Sequence, residues 1–292
     1  MSPDVNWPRL GFQPWSRAGG GREIGYVDTN PAQPASPDAD LERRLAAERE
    51  FHNRKFGEAQ EHRGSGSIYD LPRAAYRSFE RRLRVLAPGA DILEYGCGDC
   101  SYVARLSEWG GRVTAIDISD EAIAVARELA AEGGFLETTS FACMNAEELS
   151  FPDNSFDLIV GRAILHHLDL DKAYRSIARV LRPGGTAIFL EPLGHNPVIN
   201  LYRNFTPHLR TEDEHPLLMR DLDQARRHFG RLDVEYFTLL SIGALVFAKA
   251  PALWGPALKT LDALDAGLFR LLPIAGRWAW TVSMVMSEPR KD

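Results

Sequence analysis

Glu94 is followed by two glycines one residue apart, Gly96 and Gly98, and a second acid, Asp117, stands 19 positions after Gly98. Glycines at that spacing let backbone N–H groups approach a ligand where a Cβ would intrude. An acid ending the next strand can accept both hydroxyls of a ribose. Together they point to a cofactor that carries adenosine. A Gly-x-Gly turn alone is a weak signal, so its context must decide. Further on, Glu191 ends an apolar run and His195 follows on a Gly-containing loop. A polar stretch from Tyr202 to Pro216 then holds His208, Arg210, Asp213, Glu214 and His215. It suits acid–base work, a charged acceptor or a divalent ion on Asp213, Glu214 and His215. The plain alternative is a charged loop capping the helix near Pro216. Nothing fixes a ligand count, so no metal is assigned.

The elements that must position these groups alternate. From Ala90 onward, strands are expected at 91–95, 112–117, 139–143, 156–161, 185–191, 233–240 and 278–287. Helices are expected at 101–109, 120–132, 171–181 and 217–228. Such alternation gives an α/β fold: a Rossmann-like, mostly parallel seven-stranded sheet with helices on both faces and ligands at the strands' carboxyl ends. Residues 39–89 read as a helical lid: one helix from Asp40 to about Glu61, a Gly64-Ser65-Gly66-Ser67 break, then a helix from Leu71 to Leu86 stopped by Pro88-Gly89. Residues 1–38 are rich in proline and glycine and read as a mobile tail. The domain body is 90–292, with additions at 192–230 and 241–276. Leu239 to Leu272 is unusually apolar, and Gly255-Pro256 suggests a break into two helical pieces there. Core, dimer contact, the wall of an apolar pocket and a membrane-surface role are the uses left open, the last without a lysine-rich face.

Composition narrows the class. Charged residues make up 25% and the formal charge is −6, which gives no electrostatic reason for a nucleic-acid partner. Three cysteines without repeated spacing argue against a disulfide framework and fit a reducing cytoplasm. No basic start with an apolar core follows Met1, and no apolar run reaches membrane-spanning length. A cytoplasmic chain without a transmembrane segment is expected; a homo-oligomer is left open.

Four stretches in one order resemble the class I S-adenosylmethionine-dependent methyltransferases of the small-molecule type. They are Leu93-Glu94-Tyr95-Gly96-Cys97-Gly98; Ala115-Ile116-Asp117-Ile118-Ser119; Met144 to Phe151 leading into Asn154-Ser155-Phe156-Asp157; and Ala163-Ile164-Leu165-His166-His167-Leu168, followed by Leu181-Arg182-Pro183-Gly184-Gly185. They cover roughly residues 91–191. The resemblance implies S-adenosyl-L-methionine as cofactor, with Gly96 and Gly98 against its methionine half and Glu94 orienting the amino group. It implies that Asp117 takes the ribose diol, that Ile118 covers one adenine face, and that Asn145 and the Ala146 N–H reach the adenine edge. Asn145 stands where the family usually has Asp, and Cys100 where it usually has a third glycine. Cys97-x-x-Cys100 invites a metal or redox reading, but zinc would need two further ligands.

The cofactor such proteins use is already activated, so the enzyme must position an acceptor and, for a hydroxyl, remove its proton. His166 and His167 follow the fourth strand, where the acceptor must approach, and are the base candidates. His167 is slightly preferred, and packing is the plain alternative. Arg162, counted with the cofactor-binding residues, lines the same cavity or pairs with an acid, and Glu191, at the carboxyl end of the fifth strand where catalytic groups collect, is a further catalytic candidate. The Asp/Asn-Pro-Pro-Tyr/Phe motif of base amino-methyltransferases is missing; Gly161-Arg162-Ala163 stands there. No Pro-Cys nucleophile and no paired-glutamate loop are found. A small, partly apolar organic acceptor is expected, with O-methylation favoured. N- or C-methylation, for example of an isoprenoid chain, and a non-catalytic cofactor-binding subunit are the alternatives.

Overall fold

The computed structural model describes residues 43, 45–50, 53, 68–98, 102–206 and 215–291. The tail at 1–38, Cys100, His208, Arg210, Asp213 and Glu214 lie outside them. Seven strands form one sheet: β1 (Asp91–Tyr95), β2 (Arg112–Asp117), β3 (Thr139–Cys143), β4 (Phe156–Arg162), β5 (Leu181–Pro192), β6 (Phe229–Phe237) and β7 (Thr281–Pro289). Their order is β3-β2-β1-β4-β5-β7-β6. Pairing is parallel from β3 to β5, and β7 runs antiparallel between β5 and β6. The order reverses between β1 and β4, and that switch point opens a crevice at the carboxyl ends of the strands.

Alternation along the central strands sorts side chains to two faces. Leu93 and Tyr95 of β1, Ile159 of β4 and Phe189 of β5 pack on Tyr174 and Ile177 of α4 (Leu170–Val180) and Leu222 of α6 (Met219–His228). Ile92, Leu158, Val160, Ile188 and Leu190 face the other way, onto Phe79 and Leu83 of α1 (Arg73–Leu86) and Val103 and Leu106 of α2 (Val103–Glu108). Glu94 therefore leaves β1 toward α1 and α2. Local signals start the helices. The Ser119 side chain accepts from the Ala122 N–H at the head of α3 (Asp120–Glu132), and Asp169 accepts from Asp171 and Lys172 at the head of α4.

The additions differ from the expectation in three ways. A helix, α5 (Pro197–Phe205), occupies a stretch expected only as a polar addition; Asn196 caps it and Pro197 opens it. α7 (Pro251–Leu271) runs unbroken through Gly255-Pro256. Proline so near a helix start removes a single intrahelical bond, and the flanking leucines keep the helix packed. The break falls instead at 248–250, between a 3-10 segment at Leu240–Phe247 and α7. The last two strands also lie a few residues from their expected bounds, because apolar alternation continues into turns whose chemistry does not mark an end. Ile199 of α5, Ile242 and Ala244 of the 3-10 segment, and Trp254 and Leu258 of α7 share one small core with Leu71. The additions thus form one cap. Asp265 anchors it: buried, its carboxylate accepts from the Leu239, Leu240 and Ser241 N–H groups at 3.0, 2.7 and 3.1 Å.

Candidate active site

β1 ends in a turn that only glycine makes easily. Gly96 has φ +75° and Gly98 φ +52°, both left-handed. A Cβ on Gly96 would lie 2.8 Å from Ile164 Cγ1, so the chain's own packing requires the glycine before any ligand arrives. Ala163, at φ +54°, turns the chain after β4 and brings Ile164 back over that turn. A non-glycine residue held there marks stored strain of the kind found at functional sites.

Two carboxylates hold the cradle. Glu94 is buried and accepts from the Tyr102 N–H at the head of α2. Asp117 accepts from the Gly98 N–H through Oδ2 and from the Ser119 N–H through Oδ1, both at 2.9 Å. A carboxylate offers about four acceptor positions, so each retains capacity toward an ammonium or a diol while shaping its loop. Asn145 Oδ1 accepts from the Glu147 N–H at 3.0 Å, an Asx turn that fixes the loop after β3. The Ala146 carbonyl accepts from the buried Tyr95 hydroxyl, so that loop is tied to β1. The Ile118 carbonyl accepts from Arg49 Nε at 3.0 Å, and the Ser119 hydroxyl donates to Asn53 at 2.5 Å. The described part of the expected lid helix, residues 45–50 with 43 and 53, is helical and lies over the end of β2.

Arg162 ends β4 with its guanidinium 5.4 Å from the Tyr76 and Tyr102 ring centres, a double cation–π seat. Burial pushes the Tyr102 phenol to about 12, so it remains a neutral ring at physiological pH.

Beyond the strained turn, both histidines face carboxylates. Glu191 is fully buried at the end of β5. Its Oε1 accepts from the Ile164 and Leu165 N–H groups at 3.0 Å each, and its Oε2 lies 2.8 Å from His166 Nδ1. With Glu191 ionised, Nδ1 carries the proton and Nε2 is left as a proton acceptor. The His167 ring lies against His166, tilted by 38° with ring centres 4.2 Å apart, and its Nδ1 lies 3.5 Å from Oε2 of the buried Glu48. Glu48, Arg49, Asn53 and Tyr76 are site residues that the sequence reading did not name. Its one usable signal was the lid itself, since pairing across such separations leaves no local pattern.

Other expectations move away from the site. His195 Nε2 accepts from the Met219 N–H at 3.2 Å and ties its loop to the head of α6. His215 is exposed, and its backbone N–H donates to the His166 carbonyl at 3.3 Å. Among the described residues no three His, Cys, Asp or Glu side chains gather as a metal site. The Cys97 thiol is buried, and burial raises its pKa far above the ordinary value, so it is a packing group there. A cavity of about 270 Å³ lined by Asp91, Arg112, Thr114 and Glu137 lies at the amino ends of the strands, away from these groups.

Comparison with known proteins agrees with this geometry. Residues 93–189 match the family described as "Methyltransferase domain". The chain is 36% identical over 152 residues to the ubiquinone/menaquinone biosynthesis C-methyltransferase UbiE of Vibrio cholerae, covering 50% of this chain and 56% of that protein. It is 32% identical over 172 residues to the UbiE of Teredinibacter turnerae, covering 58% and 64%. The chain thus spans between about half and two thirds of these relatives. Two solved structures share the fold. Phosphoethanolamine N-methyltransferase 2 of Haemonchus contortus has a TM-score of 0.53 at 19% identity, covering 87% of this chain and 59% of that one. Geranyl diphosphate C-methyltransferase of Streptomyces coelicolor A3(2) has a TM-score of 0.54 at 13% identity, covering 88% and 100%.

Proposed function

Because residues 93–189 form a class I S-adenosylmethionine-dependent methyltransferase domain, we propose that the chain methylates carbon in a small, apolar acceptor. The acceptor class is an electron-rich hydroxylated ring or an isoprenoid alkene. The observation that carries this reading is the fully buried Glu191 at 2.8 Å from His166, which equips the site with an oriented base beside the cofactor cradle. Carbon replaces oxygen as the favoured acceptor atom because the UbiE relatives are named C-methyltransferases.

The cradle suits the cofactor: two acids end β1 and β2, where a ligand with an ammonium and a ribose diol needs acceptors. Bound there, S-adenosylmethionine supplies a methyl group already activated on a sulfonium. Glu94, Gly96 and Gly98 take the methionine half, with Arg162 beside its carboxylate. Asp117 takes the ribose, and Ile118, Asn145 and Ala146 take the adenine. His166 Nε2 accepts the proton that the acceptor must lose, from a ring hydroxyl before attack or from the ring carbon after it. Glu191 stabilises the imidazolium that forms. His166 takes this role in preference to His167, whose Glu48 partner is the more distant at 3.5 Å and comes from the lid. The apolar cap of α5 and α7 suits an apolar tail.

The test is turnover with S-adenosylmethionine and a reduced quinone that lacks its ring methyl, read as S-adenosylhomocysteine release, with the product assigned by NMR. A new ring C–CH3 signal is expected. An O–CH3 product would overturn carbon as the acceptor atom. Cofactor binding without turnover across phenols, quinols and prenyl alkenes would make the chain a non-catalytic subunit.

A further inference from the structure

Helix α7 carries leucines along one edge of its exposed side. Leu253, Leu264 and Leu271 are 53%, 53% and 87% exposed. At 3.6 residues per turn they return to within about 20° of one line along the helix, and Thr260 and Gly267 fall within about 40° of it. Trp254 and Leu258, about 100° and 140° round from Leu253, are buried in the cap core. An ordinary surface helix would be charged where this one is leucine. The apolar exposure continues past the helix at Leu272, Ile274 and Trp278.

Charge on this segment is sorted by direction. Between Leu240 and Trp280 the only acids are Asp262 and Asp265. Asp265 is buried beneath the 3-10 segment, and Asp262 pairs inward with Arg77 at 3.3 Å. The four cations, Lys249, Lys259, Arg270 and Arg277, are all exposed. On a chain of formal charge −6, the face around α7 is thus both apolar and cationic. A contiguous apolar patch of this kind marks an interaction surface.

We propose that the outer face of α7, with the turn at Pro273–Trp278, docks on an anionic phospholipid bilayer, the helix lying in the plane of the headgroups. The leucine stripe enters the boundary between headgroups and acyl chains. Lys259 and Arg270, about 100–120° round the helix from the stripe, lay their stems back along the apolar surface and bring their charged ends to the phosphates. Trp278, with the Arg277 guanidinium 5.3 Å from its ring centre, is the amphipathic anchor at headgroup depth. No helix among the described residues is long and apolar enough to cross a membrane, so α7 lies on the bilayer. Charge favours lipid over a second copy of the chain, because a two-fold contact through this face would oppose cations to cations.

The experiment is sedimentation of the full chain with vesicles of phosphatidylcholine alone or mixed with phosphatidylglycerol. Binding to the mixed vesicles, weakened by salt, is expected. Leu264→Glu with Leu271→Glu should lower the partition coefficient at least tenfold. Lys259→Glu with Arg270→Glu should remove the preference for anionic lipid. Both variants should keep the wild-type circular dichroism and affinity for S-adenosylmethionine. Wild-type protein left in the supernatant, equal binding to both vesicle types, or leucine variants that bind like wild type would overturn the proposal. So would a wild-type dimer that the leucine substitutions convert to monomer without changing vesicle binding. No methyl acceptor enters the assay, so its result is independent of the reading of the active site.

Discussion

Glu191→Gln separates a base-orienting carboxylate from one that only holds a loop. The glutamine carbonyl keeps the Oε1 position and still accepts from the Ile164 and Leu165 N–H groups, 3.0 Å away. Its NH2 takes the Oε2 position, 2.8 Å from His166 Nδ1. A donor there requires a lone pair on Nδ1, so the proton moves to Nε2 and the base is lost. General-base catalysis contributes about 10²–10⁴-fold, so turnover should fall by about 3–5 kcal/mol in the barrier. Exchanging one charge-assisted hydrogen bond for a neutral one costs about 1 kcal/mol of stability, and the melting midpoint should fall by only about 2–4 °C. Affinity for S-adenosylmethionine should not change, because Glu191 does not touch the cradle loops of β1 or β2. The assays are steady-state release of S-adenosylhomocysteine, isothermal calorimetry with the cofactor, and a melting curve. Turnover within about threefold of wild type, a barrier change of only about 0.7 kcal/mol, would refute the tautomer argument and return the His166–Glu191 pair to packing.

Other consequences follow from the same geometry. Asp117→Ala removes the carboxylate proposed for the ribose and releases the Gly98 and Ser119 N–H groups. Hydrogen bonds to a charged group are worth about 1.5–3 kcal/mol, so the cofactor Kd should rise about 10–100-fold; an unchanged Kd in calorimetry would sink the ribose assignment. Asp265→Ala orphans three backbone donors at about 1–3 kcal/mol each, which should lower the melting midpoint by roughly 6 °C or more, and a smaller drop would show that the cap does not depend on this carboxylate. Arg112 and Arg182 hold the Asp91 carboxyl below its usual 3.8. A depressed folded value gives stability that is full above the unfolded value and lost as pH falls through the folded one. The melting midpoint should therefore drop below about pH 4, less steeply in Asp91→Asn, and an equally steep drop in the variant would contradict the linkage. Salt should blunt the effect, since the pairs are exposed.

What was legible in the sequence is what local physics encodes. The bounds of β1, β2, β3 and α3 agree with their expected spans because apolar alternation is closed by Gly96, Ser119 or Gly133 at their ends. The cradle acids could be found because a strand end and a fixed gap place Glu94 and Asp117. α5 was missed because its only clear start signal, Asn196-Pro197, lies in a run of polar residues that also reads as loop. Gly255-Pro256 misled because propensity near a helix start costs little once Trp254 and Leu258 are buried. The order of the base candidates was not legible. It turns on Glu191 Oε2 lying 2.8 Å from one ring and Glu48 Oε2 lying 3.5 Å from the other, and both distances are tertiary.

The helical stretch around Glu48 reaches both halves of the proposed site. Along one helical stretch, Glu48 faces His167, Arg49 holds the Ile118 carbonyl, and Asn53 accepts from Ser119. The first contact reaches the histidine pair, and the other two lie at the end of β2, where the proposed adenosine binds. A segment that bridges both halves of a site couples them: a ligand that favours its placement at one half favours it at the other. Cofactor bound at the end of β2 would therefore favour the same placement of Glu48, 3.5 Å from His167, that the acceptor meets.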